Sequence, residues 1–194
     1  MKPSAREKVL AAAEELFFEQ GYDATSVREV VERAGVTKGA LYHHFTSKED
    51  LLYEMYMELF RVNLAGLDRI LRDGSDPAQM LRQIIDDLVI TNADSFRGVT
   101  VAARELRRLD QDRWVSLQAD WRRYQDSVRK IIRDAQEQGV FAATASPEII
   151  SWTIFGFTND MHTWYRPDGP KSAAVIAKEL ADFVLNGLAK RSST

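Results

Sequence analysis

Three spaced signals divide the start of this chain into helices. Ser4 with Glu7, Ser26 with Glu29 and Ser47 with Asp50 each set a hydroxyl three residues before an acid. In this pattern the hydroxyl caps a helix and the acid reaches back to the cap. After the first cap, Val9, Leu10, Ala12, Ala13, Leu16 and Phe17 recur at intervals of three and four. They predict one helix over 5–20, stopped at Gly21. The second cap opens a short helix from Val27 to about Arg33. Ala34-Gly35-Val36 is then a tight turn, since Gly35 takes the left-handed backbone that a sharp turn needs. Thr37 caps a third short helix, Lys38 to about His43. After Ser47 comes a long helix to about Asp73, apolar on Leu51, Leu52, Met55, Leu59 and Phe60.

The same period continues and β-branched alternation is absent, so the chain reads as all-α. Asp76-Pro77 is an N-cap with proline at the first helical position and opens a helix to about Ser95. Arg97–Leu109 holds one or two shorter helices. A long helix over Asp110–Gln138 ends at Gly139. Ser146-Pro147 caps a helix through about Tyr165, broken by Pro167-Asp168-Gly169-Pro170. Ser172 opens the last helix, to about Asn186, and the tail Arg191–Thr194 is expected to fray.

Composition narrows the function. There is no cysteine, so disulfides and thiolate metal sites are excluded. The N-terminal MKPSAREK lacks the apolar core of a signal peptide, and no run of eighteen apolar residues could span a membrane. These features predict a soluble, cytoplasmic protein without a membrane partner. The formal net charge is −3, and residues 1–52 carry seven Lys/Arg against nine Asp/Glu. That balance opposes nucleic-acid binding, but its distribution favours it. From Arg33 to Lys48 there are three basic residues, two histidines and no acid, and a small reader needs only a local positive face.

The informative stretch runs from Thr25 to Leu52. It is two short helices joined by a glycine turn, with Val27, Val30, Val31, Ala34, Val36, Leu41 and Phe45 available to fasten them to the first helix. The second short helix offers Thr37, Lys38, Gly39, Ala40, Tyr42 and His43 on its outer face, all small or donor-bearing. Such a face can lie close to a major groove. The run resembles the TetR/AcrR family of bacterial regulators. The likeness rests on GY-x-A-T-S from Gly21 to Ser26, A-G-V-T-K-G-A-L-Y-H-H-F from Ala34 to Phe45, and S-K-E-D-L-L from Ser47 to Leu52. It implies about nine helices. A three-helix helix-turn-helix DNA-binding domain over 1–50 would be joined to a ligand-binding and dimerisation domain over 51–194. It also implies that Lys38–His43 is the recognition helix, with Thr37, Lys38, Gly39, Ala40, Tyr42 and His43 facing the groove. Tyr42 and Lys48 would hold phosphates, and Ser26 and Arg28 would reach the backbone or a nearby base.

Two features bear on the second half. Arg97–Arg133 carries ten Lys/Arg against five Asp/Glu, either as a solvated face or as a site for an anionic ligand. The stretch from Phe155 to Gly169, with its W-Y-R-P-x-G ending, is similar to TetR-family members that regulate fatty-acid or sterol breakdown and respond to acyl-CoA thioesters. It departs from the sterol-linked members at Phe155 and Asn159. The resemblance implies an apolar pocket with Arg104, Trp121, Tyr124, Phe155, Asn159 and Trp164 as candidate ligand residues. The effector would be small and lipophilic, an acyl-CoA or a non-CoA ligand such as those read by regulators of drug efflux. It further implies a homodimer through the last two helices, on a palindromic double-stranded DNA operator. No cofactor, metal or catalytic residue is expected: HExxH, a phosphate loop and a nucleophile elbow are all missing, and Asp160 and His162 do not share a helix face.

Overall fold

A computed structural model describes residues 3–190. Among them are nine helices of seven or more residues and two short turns of helix, with no strand. The elements are α1 (Ala5–Gln20), α2 (Val27–Ala34), α3 (Lys38–His44), α4 (Lys48–Asp73), α5 (Pro77–Asp94), α6 (Phe96–Glu105), α7 (Gln111–Glu137), α8 (Pro147–Asn159), α9 (Met161–Trp164) and α10 (Ala173–Leu188). A 3-10 turn over Leu106–Arg108 precedes α7. The expectation for Arg191–Thr194 lies outside the described residues.

The chain forms two compact units. The first holds the residues up to Phe60 together with Ser95–Leu117, and the second holds Arg61–Asp94 and the residues from Gln118 on. The first unit therefore reaches past residue 50 into α4 and also takes in α6, the 3-10 turn and the start of α7.

Each cap expected in the first unit forms. The Ser4 hydroxyl accepts from the Glu7 N–H, and the Glu7 carboxylate accepts from the Ser4 N–H. Ser26 and Glu29 repeat the box, and the Ser47 hydroxyl accepts from the Asp50 N–H at 3.0 Å. Gly35 sits at φ +63°, in the left-handed region, and ends α2. Val9, Ala13, Val30, Leu41, Leu51 and Leu52 are fully enclosed, with Phe17 and Phe45 nearly so. They share one core with Val101, Leu109 and Leu117 from α6 and the α6–α7 corner. This core fastens α2 and α3 to α1, as the apolar spacing predicts.

In the second unit α10 and α8 pack on α5. Leu81, Ile84, Ile85, Val89, Val128, Ile132, Ile154 and Ala181 are fully enclosed. The Asn92 side-chain amide donates to the Thr158 carbonyl at 2.8 Å, and Arg82 pairs with Asp182 at 2.7 Å. The helix expected from Ser146 through Tyr165 is interrupted at Asp160. The side chains of Thr158, His162 and Thr163 bond the backbone around the break. The Thr158 hydroxyl bonds back to the Ile154 carbonyl, the Thr163 hydroxyl donates to Asp160, and the His162 ring nitrogen lies 3.0 Å from the Asn159 carbonyl. These short polar side chains offer the backbone partners that compete with the helix ladder.

Candidate nucleic-acid interface

The segment that the sequence suggests as a recognition helix is α3 with its flanks. The Thr37 hydroxyl accepts from the Ala40 N–H at 3.1 Å and starts the helix. Leu41 points inward and is fully buried, which turns the opposite face to solvent. Thr37, Lys38, Gly39, Tyr42 and His43 are all exposed and Ala40 is half-buried. Gly39 and Ala40 leave the backbone uncovered between the longer side chains. Lys38 lies 5.7 Å from the Tyr42 ring, and the His43 ring stands edge-on to His44 at 4.9 Å.

The flanking residues are more committed. The Ser26 hydroxyl donates to Glu29 at 2.7 Å while it caps α2. Hydrogen bonds from Ser26 hold the Glu29 carboxyl below the usual carboxylate range. Arg28 pairs along its helix with Glu32 at 2.8 Å. Lys48 donates to the Tyr22 and Thr25 carbonyls at 2.7 and 2.9 Å, with its ammonium 4.2 Å from the Tyr22 ring centre. Arg33, counted in the acid-free stretch, pairs with Glu15 and Glu19 from α1. The positive charge of the exposed face thus rests on Lys38 more than the sequence count suggests.

Three of the residues singled out in the second half are brought together. Trp121, Tyr124 and Phe155 form one aromatic cluster, with Trp121 stacked on Tyr124 at 5.7 Å and edge-on to Phe155 at 5.3 Å. Burial pushes the Tyr124 phenol well above its ordinary range. Trp164 stands elsewhere, packed on Phe157 at 4.7 Å, in a groove of about 510 Å³ lined also by Tyr165, Ile176, Leu180 and Phe183. Asn159 is exposed at the end of α8, and Arg104 is exposed on α6 in the first unit. Much of the basic stretch is paired: Arg97 with Glu15, Arg108 with Asp23, Arg113 with Asp50, Arg129 with Asp126 and Lys130 with Asp134.

A short helix, a left-handed glycine turn and a second short helix with an open outer face make up the helix-turn-helix arrangement of DNA-binding proteins. Comparison with known proteins agrees. Residues 9–55 match the family described as bacterial regulatory proteins, tetR family, and residues 74–188 match the tetracyclin repressor-like C-terminal domain. The HTH-type transcriptional repressor KstR2 of Mycobacterium tuberculosis is 28% identical over 191 residues, covering 96% of this chain and 94% of that one. The crystal structure of PfmR, a TetR-family regulator from Thermus thermophilus, superposes with a TM-score of 0.85 at 31% identity, over 94% of this chain and 99% of that one. The fold is also that of AibR solved with isovaleryl coenzyme A and operator DNA, at TM-score 0.80 and 22% identity, over 93% and 97% of the two chains. The chain belongs to the TetR family of transcriptional regulators, and is not an enzyme.

Proposed function

We propose that this protein is a repressor that binds a palindromic operator as a homodimer and leaves it when a small lipophilic effector binds. The observation that carries the reading is the face of α3, where Thr37, Lys38, Gly39, Tyr42 and His43 are exposed around a buried Leu41. Lys38, Tyr42 and His43 supply donors at side-chain length, while Gly39 and Ala40 let the backbone approach the bases. Tyr42 and Lys48 set register on phosphates, Ser26 and Arg28 reach the backbone or a nearby base, and Thr37, Lys38 and His43 read the sequence. The repressor role is proposed on the likeness to KstR2, a transcriptional repressor. The site of action is the cytoplasm, where the DNA is.

The dimer is proposed through α8 and α10. Ile149, Trp152, Phe157, Val175 and Phe183 are exposed there, with Phe183 72% exposed. Phe183 forms a rim shared by two apolar grooves, the one with Trp164 and a second of about 500 Å³ lined by Ile149, Ile150, Val184 and Leu188. A projecting aromatic beside grooves suits a self-complementary, two-fold interface. The proposed effector is an acyl-CoA, on the likeness of the second half to acyl-CoA-responsive regulators and on the AibR complex. Trp121, Tyr124 and Phe155, which pack as one cluster, are the proposed apolar wall. Release requires a coupling free energy, typically about 1–3 kcal/mol, and the operator must weaken effector binding by the same factor.

The test is a gel shift on the DNA upstream of the protein's own gene, with and without a panel of acyl-CoA thioesters of increasing chain length. The expected result is a shifted duplex that one chain-length class dissociates. No shift on this DNA would contradict the operator reading. A shift indifferent to every thioester would contradict the acyl-CoA reading alone.

A further inference from the structure

Between the end of α3, at Phe45, and the cap of α4, at Ser47, stands one residue, Thr46. It links α3 to α4 within the first unit. Thr46 is held by a carboxylate: Asp50 Oδ2 accepts from the Thr46 N–H at 2.9 Å and from its hydroxyl at 3.2 Å. The other oxygen of the same carboxylate, Oδ1, accepts from Arg113 Nη2 at 2.8 Å. Arg113 comes from the first turn of α7, sixty-three positions later in the chain, and belongs to the same compact unit.

Arg113 is itself fixed on several sides. Its backbone N–H donates to Asp110 Oδ1 at 2.8 Å, its Nη1 stands 3.9 Å from Glu49, and its guanidinium lies 5.3 Å from the Tyr53 ring centre. Glu49 in turn accepts from the Asp110 N–H at 2.7 Å. The Arg113 and Asp50 side chains are only 24% and 17% exposed, so this is no solvated surface pair. A planar guanidinium with several fixed donors locks the rotamer of the carboxylate it faces. Asp50 is therefore a two-sided tie, with the α6–α7 corner on one oxygen and the exit of α3 on the other.

We infer that Arg113 is a positioning residue for operator binding, which acts through Asp50 and Thr46 to set the presentation of α3. The inference rests on the reading of α3 as the operator-contacting helix. It also gives the α6–α7 corner a direct route to that helix. Arg113 touches no DNA in this account, so its loss degrades selective recognition while leaving charge-driven, sequence-independent binding in place.

The experiment uses the full chain and a duplex that the wild type enriches from a random-sequence pool. Affinity for this duplex and for an unselected duplex is measured by fluorescence anisotropy for wild type, Arg113→Ala, Arg113→Lys, Asp50→Asn and the Arg113→Ala/Asp50→Asn pair. Folding is followed by circular dichroism. The expected result is at least a tenfold loss for the enriched duplex in Arg113→Ala and in Asp50→Asn. The unselected duplex should change less than threefold, and the double variant should lose no more than the worse single one. Arg113→Lys, which keeps the charge but not the fork, should fall in between. Asp50→Asn keeps the side-chain shape and the backbone N–H that Ser47 caps, so it carries the test even if Arg113→Ala fails to fold. Affinity for the enriched duplex within twofold of wild type would overturn the inference, as would additive losses or parallel losses on both duplexes. A wild type that enriches no duplex would overturn the operator reading itself.

Discussion

Lys48 shows how much the side chains around α3 do besides facing solvent. Of its three donors, two go to the Tyr22 and Thr25 carbonyls, which ties the start of α4 to the loop before α2. The third is the proposed phosphate contact. Lys48→Ala is therefore expected to do two things. It should lower unfolding free energy by about 2 kcal/mol, the scale of hydrogen bonds to a charged donor, read from urea melts. It should also reduce the slope of log affinity against log salt by about 0.9. A loss of stability with an unchanged slope would make Lys48 an internal tie alone. The first tie was invisible in the sequence, because it joins residues more than twenty positions apart. The same holds for Arg33, whose charge counts toward a positive face on paper but is spent on Glu15 and Glu19 in space. Arg113 had no local signal at all: its meaning lies in Asp50, which reads from sequence only as part of a cap.

Elements were far more legible than sites. Caps act within four residues, so Ser4, Ser26, Thr37 and Ser47 mark helix starts where the structure has them, and Gly21 and Gly35 mark the stops. The break at Asp160 is less legible than the stop at the prolines after Tyr165, because polar side chains that bond the backbone interrupt a helix more weakly than proline does. Two predictions belong at this scale. Ser26→Ala removes the cap of α2 and should cost about 1 kcal/mol in urea denaturation, and a loss below a few tenths would mean that the core alone fixes α2. The second concerns α6, whose first residues have no cap from Ser95. The Glu14 carboxylate of α1 stands beside Gly98 instead, and burial holds its carboxyl above the ordinary value of 4.5, with Arg97 and the Gly98 backbone acting the other way. The folded chain thus holds this proton more tightly than the unfolded one. The Glu14 contribution to stability is then full below 4.5 and is lost as pH rises through the raised value. Stability measured against pH should tilt in favour of Glu14→Gln, relative to wild type, as pH rises across that window. Parallel profiles for the two proteins would contradict it.

At the scale of the molecule, α8 and α10 expose Ile149, Trp152, Phe157, Val175 and Phe183, and the proposed dimer hides them. Phe183→Asp places a charge in that interface and should give monomers by sedimentation at micromolar concentration, with little change in thermal stability of the single chain. Operator affinity should fall at least a hundredfold, because one recognition helix then binds alone. A Phe183→Asp protein that sediments as wild type would move the interface elsewhere. The apolar excess on these helices was legible from spacing, whereas the shared rim of the two grooves depends on how α8 and α10 pack. The central claim is that a pair of α3 helices reads a two-fold DNA site. Footprinting of the wild type on its enriched duplex, with the binding stoichiometry titrated in parallel, tests it most directly. The account predicts two protected half-sites with centres roughly 34–36 Å apart, or a multiple of one turn, two or an even number of protomers per duplex, and loss of both half-sites together in Tyr42→Ala. A single asymmetric footprint saturated by one protomer, or protection unaffected by Tyr42→Ala, would contradict it.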